Sequence, residues 1–162
     1  MVKLEKLCLK RNLLKTIPEL KELKELLEID LSENEFSRFP ESIISLEKIQ
    51  KINLNMNNLD TLNYPIRNST IQYLYLSNNQ FKEIFPDILN LTALKHVSLD
   101  GNQIAEIKDT MFKDIPSSSK FYIGISGNLL KQDNIYGNIF EVPIKGSKET
   151  HDAVREDIKY LF

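Results

Sequence analysis

The sequence predicts an α/β solenoid: short parallel strands stacked along one side, irregular or short-helical returns on the other, and a helical cap at the C-terminal end. Three observations carry this. A pattern of apolar positions and one asparagine, L-x-x-L-x-L-x-x-N-x-L, recurs along the chain; its asparagines are nearly evenly spaced; and beyond residue 130 the pattern gives way to other periodicities.

Leu94, Val97, Leu99, Asn102 and Ile104 show the pattern most plainly. Earlier copies are Leu4, Leu7, Leu9, Asn12, Leu14, then Leu26, Ile29, Leu31, Asn34, Phe36. Ile49, Ile52, Leu54, Asn57, Leu59 and Ile71, Leu74, Leu76, Asn79, Phe81 follow. A sixth copy keeps Ile123, Ile125, Asn128 and Leu130 but has Lys120 in place of the first leucine. Residues 1–130 thus divide into six repeats starting near 4, 26, 49, 71, 94 and 120, with successive asparagines 22, 23, 22, 23 and 26 residues apart. A fixed period in this range signals a stacked architecture.

The spacing within a repeat suits a short strand that ends in a sharp turn. Alternate residues of a strand face opposite sides, so Leu74 and Leu76 point inward while Tyr73 and Tyr75 point outward. One repeat cannot close its own core; stacked repeats can, because equivalent leucines overlie one another and the strands pair in parallel. Each asparagine falls where the chain leaves its strand, and its amide can satisfy backbone donors and acceptors that the turn buries. Asn12, Asn34, Asn57, Asn79, Asn102 and Asn128 are therefore expected to form a structural ladder.

With these residues in view, the stretch from about 4 to 130 resembles the leucine-rich-repeat family. The resemblance implies a right-handed horseshoe arc with the parallel sheet on its concave side, used as a protein-recognition surface. Ile17-Pro18, Phe39-Pro40 and Ile84-Phe85-Pro86 look like the family's convex-side connections, where proline pre-sets the backbone as it leaves the strand.

Residues 131–162 read as a C-terminal capping segment. Phe140, Val142 and Ile144 alternate within residues 139–145, with Pro143 restricting such a strand to a sheet edge. Val154, Ile158, Leu161 and Phe162 recur at helical spacing after the N-cap candidates Ser147 and Thr150, predicting a helix over about 148–161. A solenoid needs such a cover for its last apolar layer. Repeat one has no comparable cover, and a bare first strand is expected to support weak self-association.

Composition limits the function. Acids and bases are interspersed across 162 residues with a net charge of -2, giving no field directed at nucleic acid or a membrane surface. Cys8 is the sole cysteine, which rules out an intrachain disulfide framework and a cysteine zinc site. The start of the chain is charged where a secretory segment would be apolar, so the expected location is cytoplasmic, or export by a route without a classical signal peptide. His96 and His151 show no metal-type spacing, and Gly124 to Gly127 lacks the lysine of a phosphate-binding loop. No catalytic residue, cofactor or metal is expected.

The outward strand positions carry the functional reading. In register, one row is Lys6, Glu28, Lys51, Tyr73, His96, Tyr122; the next is Cys8, Asp30, Asn53, Tyr75, Ser98, Gly124; the third is Lys10, Ser32, Asn55, Ser77, Asp100, Ser126. Lys6, Glu28 and Lys51 alternate in sign and are expected to neutralise one another. From repeat four onward the face turns aromatic. Tyrosine buries a large area with few rotors and keeps a polar tip, which favours it at interfaces. Tyr73, Tyr75, His96 and Tyr122, with Asn53, Asn55, Ser98 and Asp100, are accordingly the expected partner-binding residues. The first functional reading is a non-catalytic adaptor that binds an unidentified protein on its concave face. A second is the substrate-recognition portion of a larger assembly, or a bacterial effector acting in a host. A third, with least support, is an enzyme using His96 and Asp100.

Overall fold

The computed structural model describes residues 3–62, 65–66, 70–107, 121–130 and 139–141. Seven three-residue strands form one sheet in sequence order: β1 Lys6–Cys8, β2 Glu28–Asp30, β3 Lys51–Asn53, β4 Tyr73–Tyr75, β5 His96–Ser98, β6 Tyr122–Gly124 and β7 Ile139–Glu141. The first six pair in parallel, each copy of the pattern in register with the next: Lys6 faces Glu28, Glu28 faces Lys51, and the row continues through Tyr73 and His96 to Tyr122. Of the strand expected over 139–145, Ile139–Glu141 form β7, which reverses direction and pairs antiparallel with β6, while 142–145 lie outside the described residues. The helix expected over 148–161 lies outside the described residues.

Stacking turns the pattern into columns. Ile29, Ile52, Leu74, Val97 and Ile123 form one, and Leu31, Leu54, Leu76, Leu99 and Ile125 a second, all essentially without solvent contact. Phe36, Leu59, Phe81 and Ile104 close a third. Leu7, Leu9 and Leu14 of repeat one pack against this core but are only partly buried. Repeat six solves its missing leucine locally. Phe121, next to Lys120, is 4% exposed and supplies the apolar anchor. Its equivalent one repeat earlier, Lys95, is exposed.

The parallel pairing runs past the strands into the turns. Leu31 N–H donates to Asn53 O at 2.8 Å, Leu54 N–H to Tyr75 O at 2.8 Å and Leu76 N–H to Ser98 O at 2.8 Å. Two residues further on the backbone adopts positive φ at Arg11, Glu33, Met56, Asn78, Gly101 and Gly127, each immediately before a ladder asparagine. An added Cβ at Gly101 would lie 2.4 Å from Asn78 Oδ1, the tip of an exposed side chain that would have to swing aside.

The asparagine ladder forms. Asn57 Nδ2 donates to Leu31 O at 3.0 Å in the preceding repeat and to Leu54 O at 3.1 Å in its own, while Oδ1 accepts from Phe36 N–H at 3.0 Å. Asn34, Asn79, Asn102 and Asn128 repeat this bridge. Asn12 makes half of it, donating to Leu9 O and Lys10 O from an exposed position. Each amide thus meets backbone groups of two repeats, so the buried turn does not carry the cost of orphaned polar groups.

On the far side of the core the returns include two 3-10 helices, Glu41–Ile43 and Pro86–Asn90, each beginning at or just after a proline. No α-helix occurs among the described residues. Ile43, Ile88, Leu46 and Ile66 from these returns complete the core.

Candidate protein-interaction face

The residues between the core columns form the open face of the sheet, and its two halves differ. In repeats one and two the charges are internally matched. Lys6 Nζ lies 3.0 Å from Glu28, and Lys10 and Arg11 lie 3.1 and 2.6 Å from the two oxygens of Glu33. Hydrogen bonds from Arg11 and then Lys10 hold the Glu33 carboxyl below its ordinary value. Asp30 Oδ1 accepts from both the N–H and the hydroxyl of Ser32.

Lys51 behaves otherwise than the alternating row suggested. Lys6 and Glu28 form the ion pair, and the Lys51 ammonium instead stands 5.7 Å from the Tyr75 ring centroid. Lys95 Nζ stands 6.0 Å from the Tyr73 centroid. Both distances are in the range where an ammonium is attracted to the ring face.

Tyr73, Tyr75, Lys95, His96 and Tyr122 line one shallow open depression. Tyr73 and Tyr75 are alternate residues of β4, while His96 and Tyr122 occupy the register position of Tyr73 on β5 and β6. The Tyr75 and His96 rings pack tilted at 44° with centroids 5.6 Å apart. Tyr122 is 46% exposed, and Tyr73, Tyr75 and His96 are half-buried. Burial pushes the His96 imidazole below its ordinary value, with the charge of Asp100 pulling in the opposite direction.

Of the polar residues expected beside these rings, Ser98 lies deeper, while Asn53, Asn55 and Asp100 are half-buried like the rings themselves. Ser98 is 7% exposed, its Oγ donating to Asp100 Oδ2 at 2.7 Å and hydrogen-bonded to Ser77 Oγ. Asp100 Oδ1 accepts from Ser126 N–H at 2.7 Å, and Asn55 Oδ1 from Ser77 N–H at 2.7 Å. Asn53 Oδ1 accepts from Asn55 N–H at 3.1 Å. These side chains tie adjacent turns together beside the aromatic patch. Gly124 makes room for Asp100, since a Cβ there would lie 2.9 Å from Asp100 Oδ2. His96 and Asp100 share no hydrogen bond; Asp100 acts on the imidazole through its charge. Among the described residues no group of His, Cys, Asp and Glu could hold a metal ion.

Lys95 was missed by a reading confined to alternate strand positions, since it precedes the first outward residue of β5. Its signal is nonetheless present, as a long side chain beside His96 at the start of a strand.

The family described as "Leucine Rich repeats (2 copies)" matches residues 69–115. Over these residues the repeats are leucine-rich repeats. A leucine-rich-repeat protein of Leptospira interrogans aligns with 78% of this chain at a TM-score of 0.66 and 29% identity. The functional domain of InlJ from Listeria monocytogenes, described as including a cysteine ladder, aligns with 67% at a TM-score of 0.52 and 21% identity, a likeness of fold. Among curated proteins, the Ras guanine nucleotide exchange factor V of Dictyostelium discoideum is 33% identical over 101 residues, or 52% of this chain. The chain spans 32% and 23% of the two solved structures and 5% of the exchange factor. Leucine-rich repeats generally mediate protein–protein interaction and form a non-catalytic scaffold.

Proposed function

We propose that this chain is a non-catalytic protein-binding module whose partner seats on the concave side of the sheet, over Tyr73, Tyr75, His96 and Tyr122. The observation that carries the reading is the contrast along one face. On the open face of repeats one and two, Lys6, Lys10 and Arg11 are paired with Glu28 and Glu33, whereas repeats four to six present four rings beside polar groups that are already hydrogen-bonded. Aromatic side chains with polar tips on a fixed support are the composition of interface hot spots. Neither His96 nor Asp100 is arranged as half of a catalytic pair, which supports the binding reading over an enzyme.

The exchange-factor match favours a second form of the same function, in which such repeats serve as the recognition part of a larger assembly. The effector reading adds a host target as the partner. The exposed thiol of Cys8 suits a reducing compartment, in keeping with a cytoplasmic site of action.

Affinity capture from the native cell type, comparing wild type with Tyr73→Ala/Tyr75→Ala, tests the reading. The double variant should fold with a near-unchanged denaturation midpoint. It should lose the captured partner, with more than about 1 kcal/mol of affinity lost at either tyrosine. Retention of the same partners by the variant would remove this face as the site.

A further inference from the structure

We propose that the occupant of the aromatic depression is an extended acidic peptide segment, with carboxylates about three residues apart engaging Lys51 and Lys95 and an apolar side chain between them lying on the rings. The proposal rests on the reading of this face as the interaction site and adds the chemistry of the partner.

The charges at the patch support it. Lys6, Lys10, Arg11, Lys15 and Lys48 each have a carboxylate within 4.0 Å, whereas Lys51 and Lys95 have none among the described residues. Both ammoniums stand by tyrosine rings, an arrangement that holds the cation in place and leaves its outer side available to an anion. Asp100 keeps its negative charge, but its Oδ1 accepts from Ser126 N–H and its Oδ2 from Ser98 Oγ. Lys51 and Lys95, each beside a tyrosine ring of β4, are the anion-attracting groups of the face between β3 and β5.

Spacing argues for two carboxylates over one multiply charged group. Lys51 lies on β3, and Lys95 immediately precedes β5, with β4 and its two tyrosines between them. Neighbouring strands are about 4.8 Å apart, so two steps cover about 10 Å, which a segment in the extended polyproline-II conformation crosses in three residues at about 3.1 Å each, with every third side chain returning to the same side. Lysine is also a point charge suited to one carboxylate, without the planar fork of arginine.

Isotope-labelled full chain is titrated with the end-blocked peptide Gly-Ser-Glu-Leu-Phe-Glu-Ser-Gly and with versions carrying Gln or Lys in place of both Glu residues, following amide shifts by NMR. The Glu peptide should shift Tyr73, Tyr75, His96 and Tyr122 and bind about fivefold more tightly than the Gln peptide, as two exposed ion pairs allow. The preference should shrink with salt and disappear in Lys51→Gln/Lys95→Gln. Equal binding of the Glu and Gln peptides at this face would overturn the acidic preference while leaving the face as a binding site. Equal or tighter binding of the Lys peptide, or no shifts at the four rings with the Glu peptide, would overturn the proposed occupant. The interaction-face reading fails separately, if Tyr73→Ala/Tyr75→Ala retains its captured partner.

Discussion

Replacing Asn79 by alanine isolates what the asparagine ladder contributes. Its Nδ2 donates to Leu54 O, Leu76 O and Ser77 O at 2.9, 3.1 and 3.3 Å, and its Oδ1 accepts from Leu59 N–H at 3.0 Å. The three carbonyls have second donors: Asn57 Nδ2 at 3.1 Å on Leu54 O, Asn102 Nδ2 at 3.0 Å on Leu76 O, and Met56 N–H at 2.8 Å on Ser77 O. Leu59 N–H is left without its acceptor. A stranded buried donor costs about 1–3 kcal/mol, and loss of the hydrogen bonds from the two amide protons adds about 0.5–1.5 kcal/mol each. With the carbonyls still partnered, the lower part of that range applies, and Asn79→Ala should lose about 2–4 kcal/mol. Asn12→Ala removes exposed contacts to Leu9 O and Lys10 O and should lose under about 1 kcal/mol. Asn79→Asp keeps the acceptor but turns a second oxygen toward the carbonyls, so its loss should exceed that of alanine. Urea denaturation of the full chain reads all three, with an unchanged m value required for comparison because repeat arrays can lose cooperativity. An Asn79→Ala loss no larger than that of Asn12→Ala would refute the ladder as a bridge between repeats.

Gly101→Ala and Gly127→Ala should each lose about 1–2 kcal/mol, because both glycines have positive φ. The added Cβ meets only the tip of the exposed Asn78 side chain at position 101, which can swing aside, and nothing nearer than 3.6 Å at position 127; unchanged midpoints would contradict this. For His96, burial lowers the folded pKa, so on acidification the unfolded chain takes up the proton first. This contribution to stability is complete above the unfolded value of about 6.5 and is lost as pH falls through the folded value. His96→Asn should therefore reduce the loss of stability between about pH 7 and 5, and identical pH profiles by thermal denaturation would contradict the assignment.

The register of the six parallel strands was legible because one template fixes three things together: which residues point inward, where each strand ends and which residues align across repeats; the antiparallel pairing of β7 lies outside the template. The rows from Lys6 to Tyr122 and from Cys8 to Gly124 followed from the asparagine spacing alone. Side-chain choices within that frame were not legible. Glu28 has a lysine at the same position on both neighbouring strands, and nothing in the pattern says that it pairs with Lys6 and leaves Lys51 to Tyr75. The depth of Ser98 depends on its hydrogen bonds to Ser77 and Asp100, a contact between two repeats. Phe121 escaped the template because the lengthened connection before it shifts the apolar anchor by one residue.

The central claim is that recognition occurs on the aromatic half of the sheet's open face. Hydrogen exchange of the full chain, measured with and without its captured partner, tests it most directly. The account predicts new protection concentrated in β4, β5 and β6, centred on Tyr73, Tyr75, His96 and Tyr122. Protection confined to the opposite side, over the returns that contain Glu41–Ile43 and Pro86–Asn90, would contradict it.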